Sequence, residues 1–204
     1  MIRNIVFDMG GVLMSWNPKK LLDERELNEE EKKLIMRELF HETEWLALDE
    51  GTVSEQQAYD AVSARLPENL HSHVHELIFG WWKEPFENKE GMEELIRFLH
   101  QSGYRIYLLS NASIRQAEYF HRLPGSQYFE GRMTSAEEKI IKPQKDIFEL
   151  FLKRFDLKAE ECLFIDDSNA NVFAASMCGM DGIVYHDDTP LLIERLKEKG
   201  IHFE

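Results

Sequence analysis

The chain has 204 residues, 43% apolar and 30% charged, a balance expected of a soluble globular protein rather than a disordered one. Its formal net charge of −14 offers no basic stripe to a nucleic acid or an anionic membrane, yet leaves room for a small phosphorylated ligand, which needs only a local positive pocket. Cys162 and Cys178 have neither metal nor redox spacing and read as core. No apolar run approaches the roughly 20 residues of a membrane helix, and Asp8 interrupts the apolar start a signal peptide would need, so a cytoplasmic protein is expected.

Residues 1–14 read as one buried strand, Ile5-Val6-Phe7, closed by Asp8 and a glycine loop, Gly10-Gly11. Residues 15–87 are helical in period throughout. Leu27, Leu34, Ile35 and Leu39 mark a charge-rich helix over Leu21 to Leu39, and Gly51 breaks the pattern. Ser54 with Gln57 forms a capping box for a helix from Glu55 to Arg65. A further helix through Leu70, Val74, Leu77, Ile78 and Trp81 stops near Pro85.

From residue 88 onward helix and strand alternate, as in a parallel sheet with crossover helices. The expected elements are a helix over Glu90 to Ser102 stopped by Gly103, a strand over Tyr104 to Leu109, and a helix ending near Leu123. Then come a helix over Gln144 to Phe155 with Pro143 in its first turn, and a strand over Leu163 to Ile165. A helix from Asn169 to Cys178 and a strand over Gly182 to Tyr185 follow. The fold class is therefore α/β, with residues 1–14 and 88–204 forming the sheet unit and residues 15–87 a helical lobe over the first strand's loop.

Polar groups stand at the ends of the elements: Asp8, Ser110-Asn111, Lys142 and Asp166-Asp167. Singly, each has a plain alternative. Ser110 or Asn111 caps the next helix, Lys142 is an exposed lysine before a proline, and the paired aspartates favour a helix dipole. Together they point to chemistry, because ligands of parallel sheets bind at the strands' carboxyl ends. Three carboxylates make a hard-oxygen site of the kind Mg²⁺ prefers. At about 4 Å, each like-charge contact between a phosphate and a carboxylate costs on the order of 4 kcal/mol at an effective dielectric near 20. One Mg²⁺ and Lys142 would supply compensation on that scale. Asp8 could then attack phosphorus in line while Ser110, the amide of Asn111 and Lys142 hold the equatorial oxygens.

At this point the chain resembles the haloacid dehalogenase-like hydrolase superfamily. The resemblance rests on Phe7-Asp8-Met9-Gly10-Gly11-Val12, Leu109-Ser110-Asn111, Lys142-Pro143 and Phe164-Ile165-Asp166-Asp167, in the family's order along the whole chain. It implies a Rossmann-like three-layer core with an all-helical cap inserted after the first motif. It also implies Asp8 as nucleophile and metal ligand, Gly11, Ser110, Asn111 and Lys142 as phosphate holders, and Mg²⁺ held by Asp8, the Gly10 carbonyl and Asp167, with Asp166 assisting. The segment from Trp45 to Ser54 looks like the cap of the sugar-phosphate phosphatase branch. It reads equally as a turn in the cap core.

The implied activity is Mg²⁺-dependent hydrolysis of a small phosphorylated metabolite through an aspartyl-phosphate. One position departs from the pattern. Where family phosphatases carry a second Asp as general acid, this chain has Gly10, which resembles the branch of glucose-1-phosphate phosphatases. His41, Glu44 and Asp49 of the cap are candidate replacements. Two other readings stand beside the phosphatase. One is a catalytically weak phosphate-binding or regulatory protein, which Gly10 favours. The other is a 2-haloacid dehalogenase, in which Asp8 attacks carbon without a metal and the Asp166-Asp167 pair stays unneutralised beside an anionic substrate. In the cap, Trp45, Trp81, Trp82 and Phe86 are either core or pocket lining, with core favoured by their size.

Overall fold

The computed structural model describes residues 1–203. Five parallel strands form one sheet in the order β3-β2-β1-β4-β5, with β1 Asn4–Phe7, β2 Arg105–Ser110, β3 Phe129–Thr134, β4 Cys162–Asp166 and β5 Asp181–Val184. β1 lies in the middle, every residue buried. Its Phe7 pairs with Leu108 on one side and Ile165 on the other. This register brings the residues that follow the three central strands together at their carboxyl ends.

The period-two alternation of the strands divides the core into two layers. Ile5, Phe7, Ile106, Leu108, Leu163 and Ile165 pack on one face, and Val6, Tyr107, Leu109 and Phe164 on the other. Ten helices and helical turns matter to the site, taken here in chain order: α1 Pro18–Asp23, α2 Glu29–Ile35, α3 Thr43–Glu50, α4 Glu55–Ser63, α5 His71–Gly80, α6 Met92–Gln101, α7 Gln116–Tyr119, α8 Ser135–Glu138, α9 Lys145–Arg154 and α10 Asn169–Met177. A further helix, α11, spans Thr189–Glu198. α6 and α11 cover the first face through Leu95, Leu99, Leu192 and Leu196. α9 and α10 cover the second through Ile147, Phe148, Phe151 and Ala175.

α1 to α5 share a separate apolar cluster that includes Leu22, Ile35, Leu39, Val62, Val74 and Leu77. The chain enters and leaves this helical insertion through adjacent segments. Ser15 N–H donates to the Glu87 carbonyl at 2.8 Å, and Lys89 N–H to the Leu13 carbonyl at 2.9 Å. The capping box of Ser54 with Gln57 is present, and Gly51 ends α3 in the left-handed conformation at φ 73°.

Four local expectations are corrected. The stretch from Leu21 to Leu39 is two helices rather than one, because the Asn28 side chain caps a new start with Glu31 at its third position, and a π-helical turn over Met36–Phe40 follows. The helix expected up to Leu123 shrinks to α7 and a 3₁₀ turn. The polar groups before it are used in tertiary bonds, Ala112 N–H donating to Ser135 Oγ at 2.9 Å. Pro143 stands outside α9, whose N-cap is Gln144. Sequence periodicity also passed over β3 and α11. In β3, Gly131 interrupts the strand signal, and a Cβ there would lie 2.2 Å from the Phe155 ring.

Candidate active site

β1 delivers Asp8 to the carboxyl ends of the central strands, where its N–H still continues the ladder, donating to the Ile165 carbonyl at 2.9 Å. Ser110 ends β2 and Asp166 ends β4, so sequence-distant residues meet because their strands are neighbours. Lys142 arrives from the loop before α9. Its ammonium lies 2.8 Å from Asp8 Oδ1 and 2.7 Å from Asp166 Oδ2, and it donates to the Leu109 carbonyl at 3.1 Å. Lys142, Asp8 and Asp166 are all buried.

Asp166 is fully engaged. Besides the lysine it accepts from Ser168 N–H at 2.8 Å and from the Asn171 side-chain amide at 3.1 Å. Asn111 is engaged too, on the lysine's backbone: its Oδ1 accepts from Lys142 N–H at 2.8 Å and its Nδ2 donates to the Lys142 carbonyl at 3.0 Å. The Asn111 side chain therefore sets where Lys142 stands. Gly11 also lines the site, but its N–H donates to the Met14 carbonyl at 2.8 Å. What Gly11 contributes is space. Its φ is +77°, and the Asp167 carboxylate occupies the place a Cβ would take.

Burial pushes the Asp8 carboxyl up to about 6, and Asp166 adds to the rise, while Lys142 and the Ser110 hydroxyl oppose it. Burial works to discharge the Lys142 ammonium, but Asp8 and Asp166 outweigh it and leave its pKa above the ordinary lysine value. Asp167, exposed at the rim, is raised by partial burial and by Asp166. Carboxylate oxygens of Asp8, Asp166 and Asp167 lie within 4.8 Å of one another, three anions against one ammonium. An all-oxygen donor set with uncompensated negative charge suits a hard divalent cation such as Mg²⁺.

Above these groups lies a cavity of about 260 Å³, bounded by Met9, Met14, Trp16, Trp45, Trp81 and Tyr119 on its apolar side and by Asp49, Ser113 and Asn171 among its polar residues. Trp16 holds the wall together, stacked on Trp45 at 5.4 Å between centroids and edge-on to Trp81 at 4.8 Å. Of the four aromatic residues the sequence left between core and pocket, Trp45 and Trp81 line this cavity and Trp82 and Phe86 do not. Trp16, Tyr119, Ser113 and Asn171 were not singled out from sequence. The position of Trp16, five residues beyond Gly11, was the available signal.

The cap candidates separate sharply. His41 is exposed and Glu44 is bound to Arg65 at 2.7 Å, and neither borders the cavity, whereas Asp49 does. Burial, with Asp8 adding and the Ser113 backbone N–H opposing, raises the Asp49 carboxyl to about 7. Among the described residues, no helix is long and apolar enough to cross a membrane.

The chain is similar to known proteins over most of its length. A sesquiterpene phosphatase from Aspergillus oryzae is 28% identical over 193 residues, covering 93% of this chain and 92% of that one. A phosphorylated carbohydrates phosphatase from Thermotoga maritima is 26% identical, covering 88% and 82%. In fold, the chain superposes with a TM-score of 0.68 on an enzyme of Bacteroides thetaiotaomicron solved with magnesium and inorganic phosphate, at 19% identity and with 92% and 96% of the two chains covered. The family profile of the haloacid dehalogenase-like hydrolases matches residues 2–179, and the chain belongs to that family.

Proposed function

We propose that this protein is a Mg²⁺-dependent phosphatase of small phosphate monoesters, acting through an aspartyl-phosphate on Asp8. The observation that carries the reading is the buried Asp8–Lys142–Asp166 cluster, with Asp167 beside it, at the floor of a cavity sized for a small metabolite. Two relatives named as phosphatases, one of a sesquiterpene and one of phosphorylated carbohydrates, support it. The cavity's tryptophan faces would accept either the C–H face of a sugar or an apolar chain.

Asp8, Asp167 and the Gly10 carbonyl would hold Mg²⁺ directly, with Asp166 behind them. When bound, the cation neutralises charge on the phosphoryl oxygens and on the attacking carboxylate. Lys142 holds an equatorial phosphoryl oxygen together with Ser110 and the backbone at Asn111, and keeps Asp8 in place for in-line attack. The cap's aromatic wall limits the water around the reacting centre. A water molecule then hydrolyses the aspartyl-phosphate, returning the Asp8 carboxylate and releasing inorganic phosphate.

The test is a panel of phosphorylated metabolites assayed with Mg²⁺, with a chelator, and with Asp8→Asn. Turnover is expected only with the metal and the native aspartate. Equal turnover with and without the chelator would remove the reading, as would phosphate binding without turnover across the panel.

A further inference from the structure

In-line displacement sends the leaving group out opposite Asp8, towards the helical cap. An acid that protonates it must therefore stand on the cap side of the cavity. Gly10 supplies no side chain for this, although the space beside it is open, its would-be Cβ meeting only Trp16 at 3.6 Å.

Asp49 is on the cap side, near the end of α3, and borders the same cavity as Asp8. Among the described residues it has no cationic partner, and its carboxyl accepts from the Ser113 backbone N–H at the cavity wall. Its backbone is clamped to the sheet unit: the Asp49 carbonyl accepts from Ser135 Oγ, which also receives Ala112 N–H. Two residues on, Gly51 lies against Ala136, where a Cβ would come within 2.3 Å of the carbonyl oxygen. The end of α3 is thus seated directly on the core, which fixes Asp49 over the site. A second polar group stands nearby. The Tyr119 side chain borders the same cavity, and its buried hydroxyl has no hydrogen-bond partner among the described residues and feels the charge of Asp49. A buried hydroxyl without a partner is destabilising unless something else fills the role, and a substrate oxygen would do so.

We propose that Asp49 is the general acid of this site, replacing the carboxylate missing at Gly10, with the Tyr119 hydroxyl hydrogen-bonded to the departing group. The assignment rests on the phosphatase reading above. In the first step an Asp8 oxygen forms a bond to phosphorus as the bond from phosphorus to the ester oxygen breaks. The electron pair stays on that oxygen, which takes the Asp49 proton and leaves as an alcohol. In the second step the Asp49 carboxylate accepts a proton from water as the water oxygen bonds to phosphorus and the bond to Asp8 breaks. Asp49 is then protonated for the next cycle. Burial, which favours the neutral carboxyl, is consistent with the first step.

The experiment compares Asp49→Asn with the unmodified protein on two esters, 4-nitrophenyl phosphate and glycerol phosphate, with Mg²⁺. The first leaving group departs without a proton and the second does not. The expected loss in kcat is about 10²- to 10⁴-fold on glycerol phosphate and under about tenfold on the nitrophenyl ester. Affinity for inorganic phosphate is expected to stay within threefold, and Gly10→Asp added to Asp49→Asn should recover at least tenfold on glycerol phosphate. Equal losses on both esters with phosphate affinity intact, or no loss on glycerol phosphate, overturn the role of Asp49 alone. Should Asp49→Asn not fold, the unmodified protein still decides. A preference for the nitrophenyl ester above about 10⁴-fold would mean unassisted departure, overturning the assignment, and a smaller ratio supports it. No turnover of either ester by the unmodified protein overturns the phosphatase reading and Asp49 with it.

Discussion

The Asp167 Oδ2 atom lies 2.2 Å from where a Cβ on Gly11 would be, so the absence of a side chain at Gly11 is what lets Asp167 reach the site. The backbone of Gly11 is also left-handed, at φ +77°. Gly11→Ala is expected to strain the loop by about 1–2 kcal/mol and to push Asp167 outward. Calorimetric titration with Mg²⁺ should show affinity reduced by tenfold or more, beyond any loss of thermal stability.

Lys142→Met tests the buried charge cluster. It leaves the Asp8 and Asp166 carboxylates facing each other without their shared cation. Breaking a buried ion pair on one side typically costs about 3–5 kcal/mol. Urea unfolding at pH 8 should show a loss of this order without metal, part of it recovered by Mg²⁺. An unchanged midpoint in the metal-free protein would mean that the cluster is not held by charge.

Asp8→Asn should act on stability in the opposite direction in metal-free protein. The folded carboxyl is raised from 3.8 to about 6, so between these values the native state binds more protons than the unfolded chain. Native stability from this group is complete below the lower value and lost as pH rises through the upper one. The variant, which cannot ionise, is expected to be more stable than the unmodified protein above pH 6, by at most about 3 kcal/mol. Urea titrations at pH 5 and pH 8 measure this directly. Saturating Mg²⁺ should shrink or reverse the difference.

Trp45→Ala addresses the cavity wall. Trp45 is half-buried, stacks on Trp16 and leans on Phe40 at 4.7 Å between centroids. Losing one aromatic face worth about 1.5 kcal/mol should raise KM by about tenfold while kcat changes little, the pattern of lost uniform binding. A fall in kcat with KM constant would instead place Trp45 in the chemical step.

The strands and the groups at their ends were legible in the chain for one reason. Buried parallel strands are short apolar runs, and a polar residue directly after such a run, as at Asp8, Ser110 and Asp166, stands out against them. The edge strand β3 was not legible, because Gly131 serves Phe155 from another element and weakens its own strand's pattern, whereas the other edge, β5, was read. The helical period of residues 116–122 was visible, but the tertiary bonds that cut it short at Ala112 and Ser135 join residues 23 positions apart. The same limit applies to the cap. His41, Glu44 and Asp49 look alike in sequence, and they separate only once Arg65 is seen to hold Glu44 and the cavity is seen to enclose Asp49. Trp16 was passed over because its stacking partners lie in other segments, Trp45 and Trp81.

The doorway formed by Leu13 and Ser15 against Glu87 and Lys89 makes the helical lobe a detachable module. Because its two ends sit side by side, a lobe of different length or lining could be grafted there without moving the five-stranded scaffold. The strand ends and the aromatic wall of Trp16, Trp45 and Trp81 are in this way carried by segments that leave and rejoin the sheet unit at a single place.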